Sequence, residues 1–380
     1  MKKKLKAIKW TRADFIALVR GKWFQFTAVS LLCVILALSC MAGFRHTGKT
    51  LRSQQIAQEW AGDSETPYAQ VSVFLPEGNT VDEAAIRTFR EKLTVSLSEL
   101  VTEELKNLYC DAWSARGTVS LRGEHGSSDA TVIAVGGDFF QMHPLELLSG
   151  SYISDADLMH DRVLLDEELA WKLFGGYDLT GMTVTIGENT YQVAGVISRE
   201  DDSASKMAYT DGAGLYMAYD AYLAMNEKAY ISCYELVMPS PVEGYAVQQV
   251  TEHLAPKDAV VVENSSRYTA ENIFSLLRHL NQRTMRTDTV SYPYWENAAR
   301  LVENRCMVWL VFAVFFWICP VIFAVIITVK AYRKARSKAH VTYLDLKDQY
   351  ENRVLWANLQ AKWKGRKHGR ADSETRQEDL

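Results

Sequence analysis

The chain has 380 residues, 48% of them apolar and 23% charged, and a net charge of −4. These averages exclude a disordered, collagenous or disulfide-dense protein and leave room for two or three domains. They also hide a segregation: residues 1–22 carry +7 and residues 330–380 carry +6, which leaves −17 between two charge-free runs at 23–44 and 306–329.

Taken in order, the first segment is a basic amphipathic stretch in which Ile8, Trp10, Phe15, Ile16, Leu18, Val19 and Trp23 alternate with cations. Such a stretch is suited to lie along a membrane surface. The run 23–44 is long enough to cross a bilayer. It exceeds the apolar region of a cleaved signal peptide and lacks a clean small-x-small cleavage site, so it reads as a first transmembrane helix. Lys and Arg beside a span are retained inside, which places both termini in the cytoplasm and residues 45–305 outside.

At the end of that run, Gly43-Phe44-Arg45-His46-Thr47-Gly48-Lys49-Thr50 fits the phosphate-cradling pattern G-x-x-x-x-G-K-T. Residues 163–167 (VLLDE) mimic an acidic magnesium-holding strand, and Leu148-Ser149-Gly150 a transporter-ATPase signature. A phosphate loop must follow a strand and open a helix in an α/β domain. Here the motif follows an apolar run and faces outward, so the context argues against nucleotide binding.

In the outer region, residues 69–75 alternate at period two as a half-buried strand, closed by the turn 76–79. Residues 81–105 place Ile86, Phe89, Leu93, Leu97 and Leu100 at helical spacing, with Asp82 and Glu83 in the first turn. Strands are expected at 117–122 and 130–135, separated by turn-rich 123–129. Further on come a strand at 163–165, a helical turn at 167–174 stopped by Gly175-Gly176, and a hairpin of 182–186 with 191–196 around 187–189. The fold class is therefore an α+β outer domain, β-rich and in two subdomains, between two transmembrane helices.

Four cysteines (Cys33, Cys40, Cys306, Cys319) fall in the apolar runs, where a thiol acts as a small packing residue. Cys110 and Cys233 are the pair open to a disulfide, and the sequence leaves bridge and free thiols as equal alternatives. His125, His143, His160, His253 and His279 have no recognisable partners, so no catalytic, cofactor or metal site is assigned. Residues 294–305 form helix without a breaker and lead into the second run, 306–329, where Trp309, Trp317 and a kinking Pro320 stand. In the tail, Tyr343, Leu346, Tyr350, Val354, Ala357 and Ala361 recur at three and four. This predicts a helix over 341–364, docked on the membrane or a partner or simply solvated, before a structureless end at 365–380.

Phe139, Phe140, Leu147, Gly150, Val163, Glu168, Ala170, Leu173, Phe174, Gly175, Asp178, Gly181, Val184, Ile186, Tyr191, Val193, Gly195 and Val196 stand in one register over about 60 residues. That register resembles the periplasmic core domain of MacB-type ABC transporter permeases, which share an FtsX/MacB-like membrane topology. The resemblance implies a cytoplasmic segment at 1–22, a span at 23–44, a core domain at 45–293, a stalk helix at 294–305, a second span at 306–329 and a cytoplasmic tail at 330–380.

It also implies a non-catalytic subunit of a bacterial plasma-membrane complex, without cofactor or nucleic acid. Its partners would be a separate ABC-type ATPase, the lipid bilayer, and a second copy or a longer permease supplying the family's last two spans, which this chain lacks. The same topology would serve a two-span sensor or scaffold that binds a peptide or cell-wall ligand outside.

Overall fold

The computed structural model describes residues 21–100, 108–209, 214–278 and 291–375, so the basic segment expected at the start lies almost wholly outside the described residues. The chain divides into two compact units, one of residues 38–313 and one of the remainder.

Among the described residues of the first unit, ten strands join into one sheet: β1 (Tyr68–Phe74), β2 (Cys110–Gly123), β3 (Gly126–Gly137), β4 (Leu147–Gly150), β5 (Arg162–Asp166), β6 (Thr183–Ile186), β7 (Asn189–Ile197), β8 (Gly214–Ala218), β9 (Cys233–Pro239) and β10 (Val260–Glu263). Their order is β10-β1-β9-β2-β3-β8-β5-β7-β4, with β6 paired to β2 and β7. The β2–β3 hairpin joins a half built on β10-β1-β9 to a half built on β8-β5-β7-β4. Most pairs are antiparallel; β3–β8 and β5–β7 run parallel.

Period-two alternation divides the core between the two faces of this sheet. Val71 and Val73 of β1, with Val132 and Ala134 of β3, face one side. There they meet Ile86, Phe89, Leu93 and Leu97 of the helix Glu83–Leu100 and Leu169 and Leu173 of the helix Glu167–Phe174. Phe74, Ile133 and Val135 face the other side, with Phe139, Trp295, Ala298 and Val302. Local chemistry sets the helix ends. The Asp82 carboxylate accepts from the Ala85 amide at 2.8 Å, Asp166 accepts from Leu169 at 2.7 Å, and Gly175 closes its helix at φ 73°.

One expectation for this unit needs correction. The strands expected at 117–122 and 130–135 are parts of a much longer hairpin that turns at Glu124-His125, so residues 126–129, expected as turn, are strand. Their polarity marks exposure to solvent, not a loop. The inner end, from Cys110, was not visible because it is buried on both faces and shows no alternation. The helix expected over 81–105 runs Glu83–Leu100, and 101–107 lie outside the described residues.

The second unit holds parts of two long helices. Lys22–Thr47 and Tyr294–Thr375 each contain a stretch long and apolar enough to cross a membrane. Phe26, Leu31, Ile35, Phe315, Val321 and Ile326 are exposed, as side chains turned toward lipid are. The helices meet at Trp23 and Phe323, 6.4 Å between ring centroids, and the Lys330 ammonium sits 4.0 Å over the Trp23 ring. The last helix carries Pro320 without a break. It also continues through Thr375, so residues 365–375, expected to be structureless, are helical.

Candidate functional site

The first turns of the last helix lie on the sheet of the outer unit. Trp295, Ala298, Val302, Cys306 and Leu310 are buried at steps of three and four, the apolar face of an amphipathic helix. Glu296 and Glu303 stand on that face and are 1% exposed, although two isolated carboxylates could not survive there. Their counter-charge is Arg267, which is 4% exposed. Its Nη1 and Nη2 each donate to one oxygen of Glu296 at 2.7 Å, its Nε donates to Glu303 at 2.5 Å, and Nη1 also reaches Gln54 and Asn264 at 3.2 Å. Arg300, one turn after Glu296, donates to the same carboxylate at 2.7 Å and lies 3.7 Å over the Tyr292 ring. Among the described residues, two guanidiniums thus face two carboxylates.

Burial by itself would push the Glu296 carboxyl up, but Arg267 and Arg300 more than offset this and hold it below its ordinary value of 4.5. A carboxyl depressed in the folded state contributes stability that is complete above the unfolded value and is lost as pH falls through the folded one. The clamp is therefore expected to weaken below about pH 4.5. Arg300→Met, which removes one of the two cations, should move that acid limb to higher pH in thermal unfolding of the detergent-solubilised chain. An unmoved limb would mean that the cluster does not govern it.

From Arg267 a buried polar chain runs across the sheet. Asn264 donates to Ser72 at 2.7 Å, Ser72 donates to one Glu235 oxygen at 2.9 Å, and the other Glu235 oxygen meets His143 Nε2 at 2.5 Å. The His143 ring packs against Trp295, 4.5 Å between centroids, and stacks on Phe139 at 4.6 Å. The last helix therefore grips both ends of the chain, Trp295 at His143 and Glu296 with Glu303 at Arg267. Ser, Glu and His occur together here, but the carboxylate stands between hydroxyl and imidazole, the wrong order for activating a nucleophile, and all three are buried. What this arrangement can do is hold two elements in one register.

A third grip lies beside these two. Tyr294 stacks on Tyr209 at 4.1 Å. Burial pushes the nearby Glu200 carboxyl up from its ordinary value. Arg305 donates to the Ser203 hydroxyl at 2.6 Å. On the first long helix, a Cβ at Gly43 would stand 2.9 Å from the Trp309 indole, so glycine lets that ring approach closely.

The motifs that mimic a nucleotide site take other roles. Residues 43–47 are the last turn of the helix Lys22–Thr47, a C-terminus that offers carbonyls where a phosphate needs amides. Asp166 caps a helix, pairs with Arg199 at 2.6 Å and accepts from the Gly214 amide at 2.6 Å.

Cys110 and Cys233 are free, buried thiols on adjacent strands. Cys110 stands opposite Val237 and Cys233 opposite Ser114, four residues apart in register, roughly 13 Å along a strand and beyond disulfide reach. Burial pushes both thiols up, Cys233 well above the ordinary range. Both are expected to resist maleimide in the folded chain and to react once it is denatured without reductant. Mass spectrometry of labelled peptides would detect a bridge by their failure to react.

Among the described residues no group of three His, Cys, Asp or Glu side chains is placed to hold a metal ion. His160 lies 3.4 Å from Asp220, and His279 falls outside the described residues. The residues that sequence reasoning missed are Arg267, Glu296, Arg300, Glu303, His143 and Glu235. A signal for two of them was present: Glu296 and Glu303 fall on the apolar face of the stalk, where an unpaired charge is costly. Their partner Arg267 carries no mark in the sequence.

A family profile described as the MacB-like periplasmic core domain matches residues 27–257. Among solved structures, the chain is similar to the extracellular domain of the noncanonic ABC-type transporter YknZ from Gram-positive bacteria, at 15% identity over 51% of this chain and 99% of that one, TM-score 0.36. It is similar to the periplasmic region of MacB from Actinobacillus actinomycetemcomitans, at 16% identity over 57% and 94%, TM-score 0.37. It is also similar to a domain of a putative permease protein from Porphyromonas gingivalis, at 15% identity over 52% and 87%, TM-score 0.31. No curated protein matches the chain.

Proposed function

The chain belongs to the MacB-like periplasmic core domain family, and on that premise we propose that it is a permease-type membrane subunit of an ABC-type transporter or mechanotransmission complex. It performs no chemistry of its own. A separate cytosolic ATPase moves the inner ends of the helices, and the last helix carries the motion to the outer domain. In this reading residues 1–22 and 330–380 are cytoplasmic, 23–44 and 306–329 cross the plasma membrane, 294–305 form the stalk, and Pro320 gives the second span its bend. A second copy or a longer permease supplies further spans.

The observation that carries this reading is the unbroken helix that joins an apolar run to the Arg267 clamp. A flexible joint would dissipate a displacement, whereas helix, ion pairs and aromatic packing move together. The polar chain from Arg267 to His143 extends that rigidity across β10, β1 and β9.

The test is affinity purification of the tagged chain from mild-detergent membranes, with identification of what accompanies it and an ATPase assay of the complex. Recovery of an ABC-type ATPase, with activity unchanged by Lys49→Ala, is the expected result. A chain recovered with signalling or cell-wall proteins and no ATPase would replace this reading by the sensor or scaffold.

A further inference from the structure

We propose that the helical tail pairs with the tail of a second copy of this chain, as a parallel, in-register coiled coil built on an eleven-residue repeat. The helix continues without interruption past the second apolar run, and its side chains from Tyr332 to Gln360 are exposed. Along it, Tyr332, Ala335, Ala339, Tyr343, Leu346, Tyr350, Val354, Ala357 and Ala361 follow one another at steps of three, four and four. The rows repeat at eleven: Tyr332, Tyr343 and Val354; Ala335, Leu346 and Ala357; Ala339, Tyr350 and Ala361. Eleven residues over three turns is 3.67 per turn, slightly more than an α-helix has, and gives a nearly straight pair with a right-handed coil. A seven-residue repeat from the same start would put Thr342, Gln349 and Arg353 in the seam. Nine charged side chains lie between 332 and 361, and none falls on the eleven-residue rows.

Two physical arguments make the occupant a second copy. A solvated helix of this length needs many i,i+4 ion pairs to stand alone, and among the described residues of the tail Lys347 with Glu351, at 3.8 Å, forms such a pair. A partner is therefore called for, and the membrane surface is not it, because turning the tail onto the membrane requires a break that the helix lacks. Copies in one membrane send their tails from the same face, so two of them can meet only parallel and at equal height. Each row then meets itself, which is what an uninterrupted repeat provides without any other chain. The seam of about 45 Å has its bulky layers at Tyr343, Leu346, Tyr350 and Val354, with alanines on either side. The inference is independent of the transport reading, since it uses only the tail and a shared membrane.

The experiment uses the full-length chain with its six native cysteines replaced, reconstituted alone in liposomes. Single cysteines are introduced at Tyr343, Leu346, Tyr350 and Val354, and for comparison at Leu344, Asp348, Asn352 and Leu355, then oxidised with copper phenanthroline. Disulfide-linked dimers should form at least tenfold faster at the first set, with Tyr343→Cys and Val354→Cys alike because they share a row. Leu344 and Leu355 are the sharp controls, being apolar yet off the seam. Rates equal on all faces, maxima at Leu344 and Leu355, or no dimer at any position would overturn the proposal. Dimers that appear only when other membrane proteins are present would overturn it too, by assigning the face to a different chain.

Discussion

Arg267→Met is expected to destabilise the outer domain by about 3–5 kcal/mol, the cost of leaving a buried ionic cluster without its central partner. The geometry explains the size: one guanidinium satisfies three carboxylate oxygens from two residues of the last helix, and at 1% exposure neither Glu296 nor Glu303 can turn to water. Arg300 would still hold Glu296, but Glu303 would lose the bond that Arg267 makes to it. The unfolding midpoint of the detergent-solubilised chain should fall by roughly 10 °C. The triple replacement Arg267→Met, Glu296→Leu, Glu303→Leu should recover most of that loss, because a buried ion cluster exchanged for apolar residues is often neutral. If the triple variant matches the single one, unpaired charge is not what destabilises it. Under the proposed function, the triple variant also separates stability from coupling, since it keeps the contact and removes its polar register.

Gly150→Ala is the second large effect, at about 3 kcal/mol or more. Gly150 has φ +78°, where a side chain is strained by roughly 1–2 kcal/mol, and its Cβ would stand 2.0 Å from the Ala194 carbonyl oxygen. Across the same strand pair, a Cβ at Gly195 would meet the Ser149 carbonyl at 2.4 Å. Both obstacles are backbone atoms, so relief requires β4 to leave β7, on which it pairs through Ser149 and Gly150. Hydrogen exchange should show faster exchange confined to residues 147–151 and 194–197, together with a lower midpoint. Unchanged protection there would show that the strands accommodate a methyl group, contrary to this packing.

These two sites differ in how far they could be read beforehand. Gly150 and Gly195 stand in the run that resembles the MacB-type core domain, but nothing in the sequence showed that their backbones meet across a strand pair. Helix 167–174 was legible because its start and stop are local: Asp166 caps it and Gly175 ends it within ten residues of chain. The β2–β3 hairpin was only half legible, since its outer polar residues look like a loop and its inner residues, buried on both faces, have no period. The Arg267 cluster was illegible as a cluster. Its members lie 29, 36 and 213 residues apart in sequence, and nothing in the spacing of a lone arginine announces its partner. The same holds for His143, which meets Glu235 across 92 residues.

By itself the sequence determined what depends on neighbours in the chain: two apolar runs of membrane length, the opposed charges of loop and ends, the acidic first turn at Asp82 and Glu83, the glycine turns, the period of the tail and the family register over 139–196. These follow from side-chain periodicity and backbone preference, which act over a few residues. Only the tertiary structure decided the strand order, the free and separated thiols of Cys110 and Cys233, and the burial of Glu296 and Glu303 against Arg267. Each of those depends on which distant segments share a sheet or a face. That is settled by the sum of apolar burial over the whole domain, under the condition that every charge carried inside finds its counter-charge there.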